Sequence, residues 1–166
     1  MEIGLSLGSN LGDRLAQLRE ARRSIRALDG VRLLAASPVY ETEPVDVASR
    51  YQSLPFLNAV LIVSVSGEIG PFAQQLAAIE SALGRQRGAE RNAPRTIDID
   101  VIYADDLQME SPGLMLPHPR WAQRRFVAQP LADVRSELVL PGDARRVRDV
   151  LAGLQGQTLS LFAAEW

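Results

Sequence analysis

The stretch Thr96-Ile97-Asp98-Ile99-Asp100-Val101-Ile102-Tyr103 alternates polar and apolar side chains from Thr96 to Val101. That is the two-residue period of a β-strand, on which successive side chains point to opposite faces. Ile97, Ile99 and Val101 therefore enter a core, and Asp98 and Asp100 share the other face, about 7 Å apart along the strand.

Five further elements precede this strand. Ile3, Leu5 and Leu7 alternate with Gly4 and Ser6, and Gly8 to Asp13 supplies turn residues and a helix cap. Leu15, Leu18, Arg22, Ile25 and Leu28 then fall at helical spacing, ended by Asp29-Gly30. Val31 to Val39 reads as a strand closed by Pro38, and Glu41 to Pro55 as a loop too long for a mere connector. Phe56 to Val65, rich in Val and Ile, reads as a buried strand, and Phe72, Leu76, Ile79 and Leu83 mark a second helix that Gly84 ends. With Thr96 to Tyr103 the order is β-α-β-β-α-β. This predicts an α+β fold with a ferredoxin-like core, two helices covering one face of an antiparallel sheet. Beyond it, Leu114 to Val134 and Arg145 to Leu154 read as partly helical extra elements, and Thr158 to Phe162 as a short strand.

The chain has 166 residues, 46% of them hydrophobic and 23% charged, which suits one soluble domain over 1–166 with a sizeable core. There is no Cys and no Lys, and His118 is the one histidine. Disulfides, thiolate nucleophiles, Cys-ligated zinc, Schiff bases, the GxxxxGK[ST] phosphate loop and HExxH are thereby excluded. A net charge of −2 argues against a protein that lives on nucleic-acid backbone. The N-terminal residues do not resemble a signal peptide, and the longest apolar run is too short for a bilayer. The expectation is a cytoplasmic protein with no membrane and no nucleic-acid partner, and a monomer.

Two carboxylates on one strand face repel unless a cation neutralises them, and such oxygen ligands suit magnesium held together with a substrate phosphate. Alone, the pair fits a solvated strand face better than a metal site. It is preceded by Arg85, Arg87, Arg91 and Arg95, spaced by Gly84, Gly88 and Ala89. Arginine forks onto phosphate oxygens, and a glycine-containing loop lets such side chains converge. Together the two features point to an anionic substrate bound with a divalent cation.

Here the chain resembles the 6-hydroxymethyl-7,8-dihydropterin pyrophosphokinase family of folate biosynthesis. The family signature reads Arg91-Asn92-Ala93-Pro94-Arg95-Thr96-Ile97-Asp98-Ile99-Asp100-Val101-Ile102 in this sequence. Four more segments follow the family order: Leu7 to Asp13 (LGSNLGD), Tyr40 to Val45 (YETEPV), Phe56 to Val60 (FLNAV) and Leu116 to Pro119 (LPHP). The match runs from about Glu2 to Leu131.

The resemblance implies transfer of a pyrophosphoryl group from ATP, as co-substrate, to the hydroxymethyl oxygen of the reduced pterin, releasing AMP. It implies two magnesium ions at Asp98 and Asp100. Arg85 and Arg95 would join those carboxylates in catalysis. Arg85, Arg87, Arg91, Arg95, Val101, Leu114, His118 and Arg124 would bind ATP. Thr42, Pro44, Val45, Phe56, Asn58, Asp98 and Phe126 would bind the pterin, with Asn58 matching the ring's mixed donor and acceptor edge. His118 acts in this reading as a phosphate donor and not as a base. Asn92 stands where some relatives carry Trp. Three rivals fit parts of the pattern: a metal-dependent phosphohydrolase, a ferredoxin-like RNA-binding domain and an inactive homologue. Asn58 beside Phe56 and Phe126 argues against the first, and the absence of a basic, aromatic sheet face against the second. The retained carboxylates and arginines argue against the third.

Overall fold

The computed structural model describes residues 1–44, 49–51, 53–85 and 94–166. Its strands are β1 (Glu2–Ser9), β2 (Val31–Ala36), β3 (Val39–Thr42), β4 (Phe56–Val65), β5 (Asp98–Ala104), β6 (Met109–Ser111), β7 (Leu114–Leu116) and β8 (Leu159–Ala163). Its helices are α1 (Arg14–Arg26), α2 (Ile69–Ala82), α3 (Arg125–Arg135) and α4 (Val147–Gly153). The antiparallel sheet runs β5-β1-β4-β3-β8, with β2 also on β4, consistent with the ferredoxin-like order.

β4 pairs with β1 over residues 57–64 along one edge and shares its other edge between β2 and β3. The single strand expected over Val31 to Val39 is thus two, because Pro38 has no N–H to give to a ladder. Ser37 bridges the break. Its N–H donates to the Val60 carbonyl at 2.9 Å, and its hydroxyl accepts the Val60 N–H at 2.8 Å. Pairing then resumes through Thr42, which shortens the expected loop.

Asp13 caps α1 as anticipated, accepting the Ala16 N–H at 3.0 Å. Leu18, Ala21 and Ile25 of α1 and Phe72, Leu76 and Ile79 of α2 cover one sheet face, where they meet Ile3, Leu5, Leu7, Leu57, Leu61, Ile99 and Val101. Each fully buried Leu or Ile there contributes about 2 kcal/mol. On the opposite face α3 and α4 bring Val127, Leu131, Val147 and Val150 onto Val60, Ile62, Ile102 and Tyr103. Ile102 and Tyr103 both reach this second core because the β1–β5 register slips between Gly4 and Leu5. Gly4 makes room for the tyrosine: a Cβ there would lie 2.3 Å from its ring.

The segment expected to be partly helical from Leu114 begins as a strand. β6 and β7 form a hairpin around Gly113, whose φ of +84° favours glycine. Three-residue strands are too short to show a period. A 3-10 turn at Trp121–Gln123 leads into α3, α4 falls inside Arg145 to Leu154, and β8 is shifted by one residue, over Leu159–Ala163 in place of Thr158–Phe162. No helix among the described residues is long and apolar enough to cross a membrane.

Candidate active site

α3 and α4 cover only part of their sheet face. The remainder is the floor of a cavity of about 450 Å³. Two cross-strand rows build that floor. In one, Gly8 of β1 lies between Asp98 of β5 and Asn58 of β4; in the next, Ser6 lies between Asp100 and Val60. Gly8 leaves the space between Asn58 and Asp98 open, since a Cβ there would come 3.2 Å from the Asn58 carbonyl oxygen.

The two carboxylates share one face, as the alternation required, and Ile97, Ile99 and Val101 are buried on the other. Each carboxylate has its own pair of cationic or polar neighbours. Asp98 pairs with Arg85 at 2.5 Å and accepts a hydrogen bond from Arg95 at 2.8 Å. Asp100 faces Arg124 and His118, each at 3.9 Å. Burial within the cavity walls and the charge of Asp98 push the Asp100 carboxyl up to about 6. This carboxyl therefore gains from a cation. No group of three or more His, Cys, Asp or Glu that could hold a metal occurs among the described residues. The donor set is two aspartates, which fits magnesium completed by substrate phosphate and water better than an all-protein cage.

Burial, followed by the charges of Arg124 and Arg120, lowers the His118 imidazole to about 4, so it is neutral at pH 7. Its Nδ1 accepts the Arg120 N–H at 3.1 Å, which leaves the ring proton on Nε2, the nitrogen facing Asp100. His118 is held there by its own N–H, which donates to the Ile102 carbonyl on the edge of β5 at 2.8 Å. Arg95 is anchored by Asn10: the Asn10 N–H donates to the Arg95 carbonyl at 3.2 Å, and Asn10 Oδ1 accepts the Arg95 N–H at 2.9 Å.

At the other end of the floor Asn58, 4% exposed, donates from Nδ2 to Thr42 Oγ1 at 2.8 Å. Its carbonyl oxygen has no hydrogen-bond partner among the described residues and is available to a ligand. Phe56 and Phe126 line the same region, and the Arg124 guanidinium lies 5.4 Å from the Phe126 ring centre.

The cavity thus gathers Arg85, Arg95, Asp98, Asp100, His118 and Arg124 with Thr42, Phe56, Asn58 and Phe126. Three other expected residues do not line it. Pro44 lies beyond the end of β3, Val101 is 8% exposed in the core beneath the floor, and Leu114 sits on β7. Val45, Arg87 and Arg91, like Asn92, lie outside the described residues. Sequence reasoning missed Arg120, Gln123 and Gln157, which also line the cavity; Gln157 accepts the Arg125 N–H at 2.7 Å and so caps α3. It missed Glu80 too. Glu80 is 3% exposed, accepts the Ile99 N–H at 2.7 Å and forms an ion pair with Arg85. Burial raises its carboxyl above the ordinary carboxylate range, against the opposing pull of the Ile99 N–H and Arg85. The signal was available, since Glu80 lies four residues after Leu76 on the inward stripe of α2.

Comparison with known proteins agrees with this geometry. The model of the family described as 7,8-dihydro-6-hydroxymethylpterin-pyrophosphokinase (HPPK) matches residues 4–136. The chain is 39% identical to the 2-amino-4-hydroxy-6-hydroxymethyldihydropteridine pyrophosphokinase of Methylorubrum extorquens, covering 90% of this chain and 91% of that protein. It is 42% identical to the protein of the same name from Porphyromonas gingivalis, covering 80% and 89%. It is also 32% identical to the folic acid synthesis protein fol1 of Schizosaccharomyces pombe over 96% of its own length, but spans only 21% of that relative. Among solved structures, an HPPK-DHPS in complex with substrates superposes with a TM-score of 0.67 at 12% identity, over 91% of this chain and 43% of that one, a likeness of fold. With the family model spanning all the strands that form the cavity floor and two bacterial relatives matched over most of their length, the chain belongs to the HPPK family.

Proposed function

We propose that this protein transfers the pyrophosphoryl group of ATP to the hydroxymethyl oxygen of 6-hydroxymethyl-7,8-dihydropterin in folate biosynthesis. The observation that carries the reading is one cavity floor on which two carboxylates ringed by arginine and histidine lie one glycine away from a buried amide with a free carbonyl. The family and the bacterial relatives' names support the same reaction.

The hydroxymethyl oxygen attacks the β-phosphorus, the bond from that phosphorus to the oxygen bridging to the α-phosphate breaks, AMP leaves and the hydroxyl proton is released. Such a transfer asks the protein for alignment and charge neutralisation more than for covalent chemistry. Asp98 and Asp100 would hold two magnesium ions, which neutralise the triphosphate when bound. Arg85 and Arg95, aimed into the cavity by Asp98, are placed to stabilise charge on the transferring group. Arg124 binds phosphate oxygens, and neutral His118 donates from Nε2, its lowered basicity making it a poor general base. Asn58 orients the pterin edge, Thr42 fixes the Asn58 amide, and Phe56 and Phe126 supply apolar walls. Arg87, Arg91 and Val45 keep the roles that the family resemblance implies for them. One cytoplasmic, monomeric domain over 1–166 is the reading that composition supports.

Phosphorus NMR of the protein with magnesium, ATP and the reduced hydroxymethylpterin tests this. AMP and a pterin diphosphate are expected only in the complete mixture. Inorganic phosphate formed without the pterin would replace the reading with a phosphohydrolase.

A further inference from the structure

Glu80 is the one charged residue buried among the described residues, and it sits behind the cavity wall on the last turn of α2. β5 is an edge strand, paired with β1 on one side alone. On its other side Glu80 Oε1 stands in for a neighbouring strand by accepting the N–H of Ile99, the residue between Asp98 and Asp100. The same carboxylate pairs with Arg85, whose guanidinium in turn pairs with Asp98. One buried acid thus ties a helix, the loop arginine and the strand that carries both aspartates. An arginine has several rotatable bonds, and holding it in one place before substrate arrives removes an ordering cost from the reaction.

Resting on the reaction assigned above, we propose that Glu80 is a positioning residue: it sets Arg85 against Asp98 and holds the Asp98–Asp100 segment in place, without itself touching substrate. Glu80→Gln keeps an acceptor for the Ile99 N–H but removes the charge that holds Arg85. It is expected to leave the melting temperature and the pterin KM close to wild type and to lower kcat at least about 10-fold. Glu80→Ala, which also deprives Ile99 of its acceptor, is expected to be slower still.

A double-mutant cycle separates positioning from general structural support. In an Arg85→Ala background, Glu80→Gln should cost less than about 2-fold in single-turnover rate, because the group it positions is gone. The same fold-loss in both backgrounds, or a Glu80→Gln enzyme with wild-type kcat, overturns the proposal. A second readout does not depend on turnover. In nitrogen-15 NMR spectra the Arg85 guanidinium resonance should broaden in Glu80→Gln while that of Arg124 stays sharp; an unchanged Arg85 resonance also overturns it. If the wild-type protein makes no AMP, the assigned reaction fails, and the guanidinium spectra alone decide whether Glu80 holds Arg85.

Discussion

The two halves of one sheet face in this protein share strands, with a slip in the β1–β5 register between them, yet they do opposite things. Under α3 and α4, the face carries Val60, Ile62, Ile102 and Tyr103, packed against Leu131, Val147 and Val150. Further along the same strands it carries Ser6, Gly8, Asn58, Asp98 and Asp100, and among the described helices only the first turn of α3, with Phe126, reaches it. Covering the second half with an apolar helix would desolvate two carboxylates and an amide at a cost of several kcal/mol. The lesson is that the cavity is created by a change of side-chain type along three adjacent strands, across the slip in the β1–β5 register.

The strongest way to break this division is at Asp98. Asp98→Ala should lower turnover about 10³- to 10⁵-fold while the melting temperature stays close to that of the wild type, measured by AMP release and thermal unfolding. Near-normal turnover would place the chemistry elsewhere. Leu131→Ala makes the mirror-image change in the covered half, where the side chain is fully buried. A loss of about 2 to 5 kcal/mol in urea denaturation is expected, with unchanged kcat for the protein that remains folded. Loss of activity in step with any loss of stability would show that the two halves are coupled. Within the open half, Asn58→Ala should raise the pterin KM about 10-fold or more and leave the ATP KM nearly unchanged, since it removes the amide from one end of the floor only. Equal changes in both constants would erase the distinction between the two ends.

The smallest effect is a pH dependence of the ligand-free protein. In the folded state His118 stays neutral down to about 4, whereas in the unfolded chain it takes a proton near its ordinary 6.5. The unfolded state therefore binds more protons between these values, and the His118 contribution is intact above about pH 6.5 and lost as pH falls toward 4. The stability difference between wild type and His118→Gln should shrink by about 1 to 2 kcal/mol between pH 7 and pH 4.5, with the partial access of solvent to the cavity allowed for. A difference that stays constant would mean that the ring is solvated.

Much of this was legible along the chain. Alternation in Ile97 to Val101 told which side chains face the core and which face outward, because a strand has a period of two whatever its neighbours are. The amide of Asn58, set in an apolar strand, signalled a buried polar group in need of partners, and one of them, Thr42, is its hydrogen-bond partner in the fold. The β6–β7 hairpin was invisible because three residues carry no period, and the break at Ser37-Pro38 because a side-chain hydroxyl there does the work of a ladder bond. Val101, which the motif includes, has its side chain in the core, so its side chain does not line the cavity.

What the sequence by itself determined is local and periodic: the order of the elements, the shared face of Asp98 and Asp100, the cap at Asp13 and the chemistries excluded by the missing Cys and Lys. Tertiary structure alone decided which distant groups meet. Asn10 holds Arg95, Glu80 joins Arg85 to Ile99, and Gly8 separates Asn58 from Asp98, through contacts between different elements of the chain. Such contacts depend on sheet order and register, which no spacing along the chain encodes, and that is why the cavity could be sketched before folding was known but not assembled.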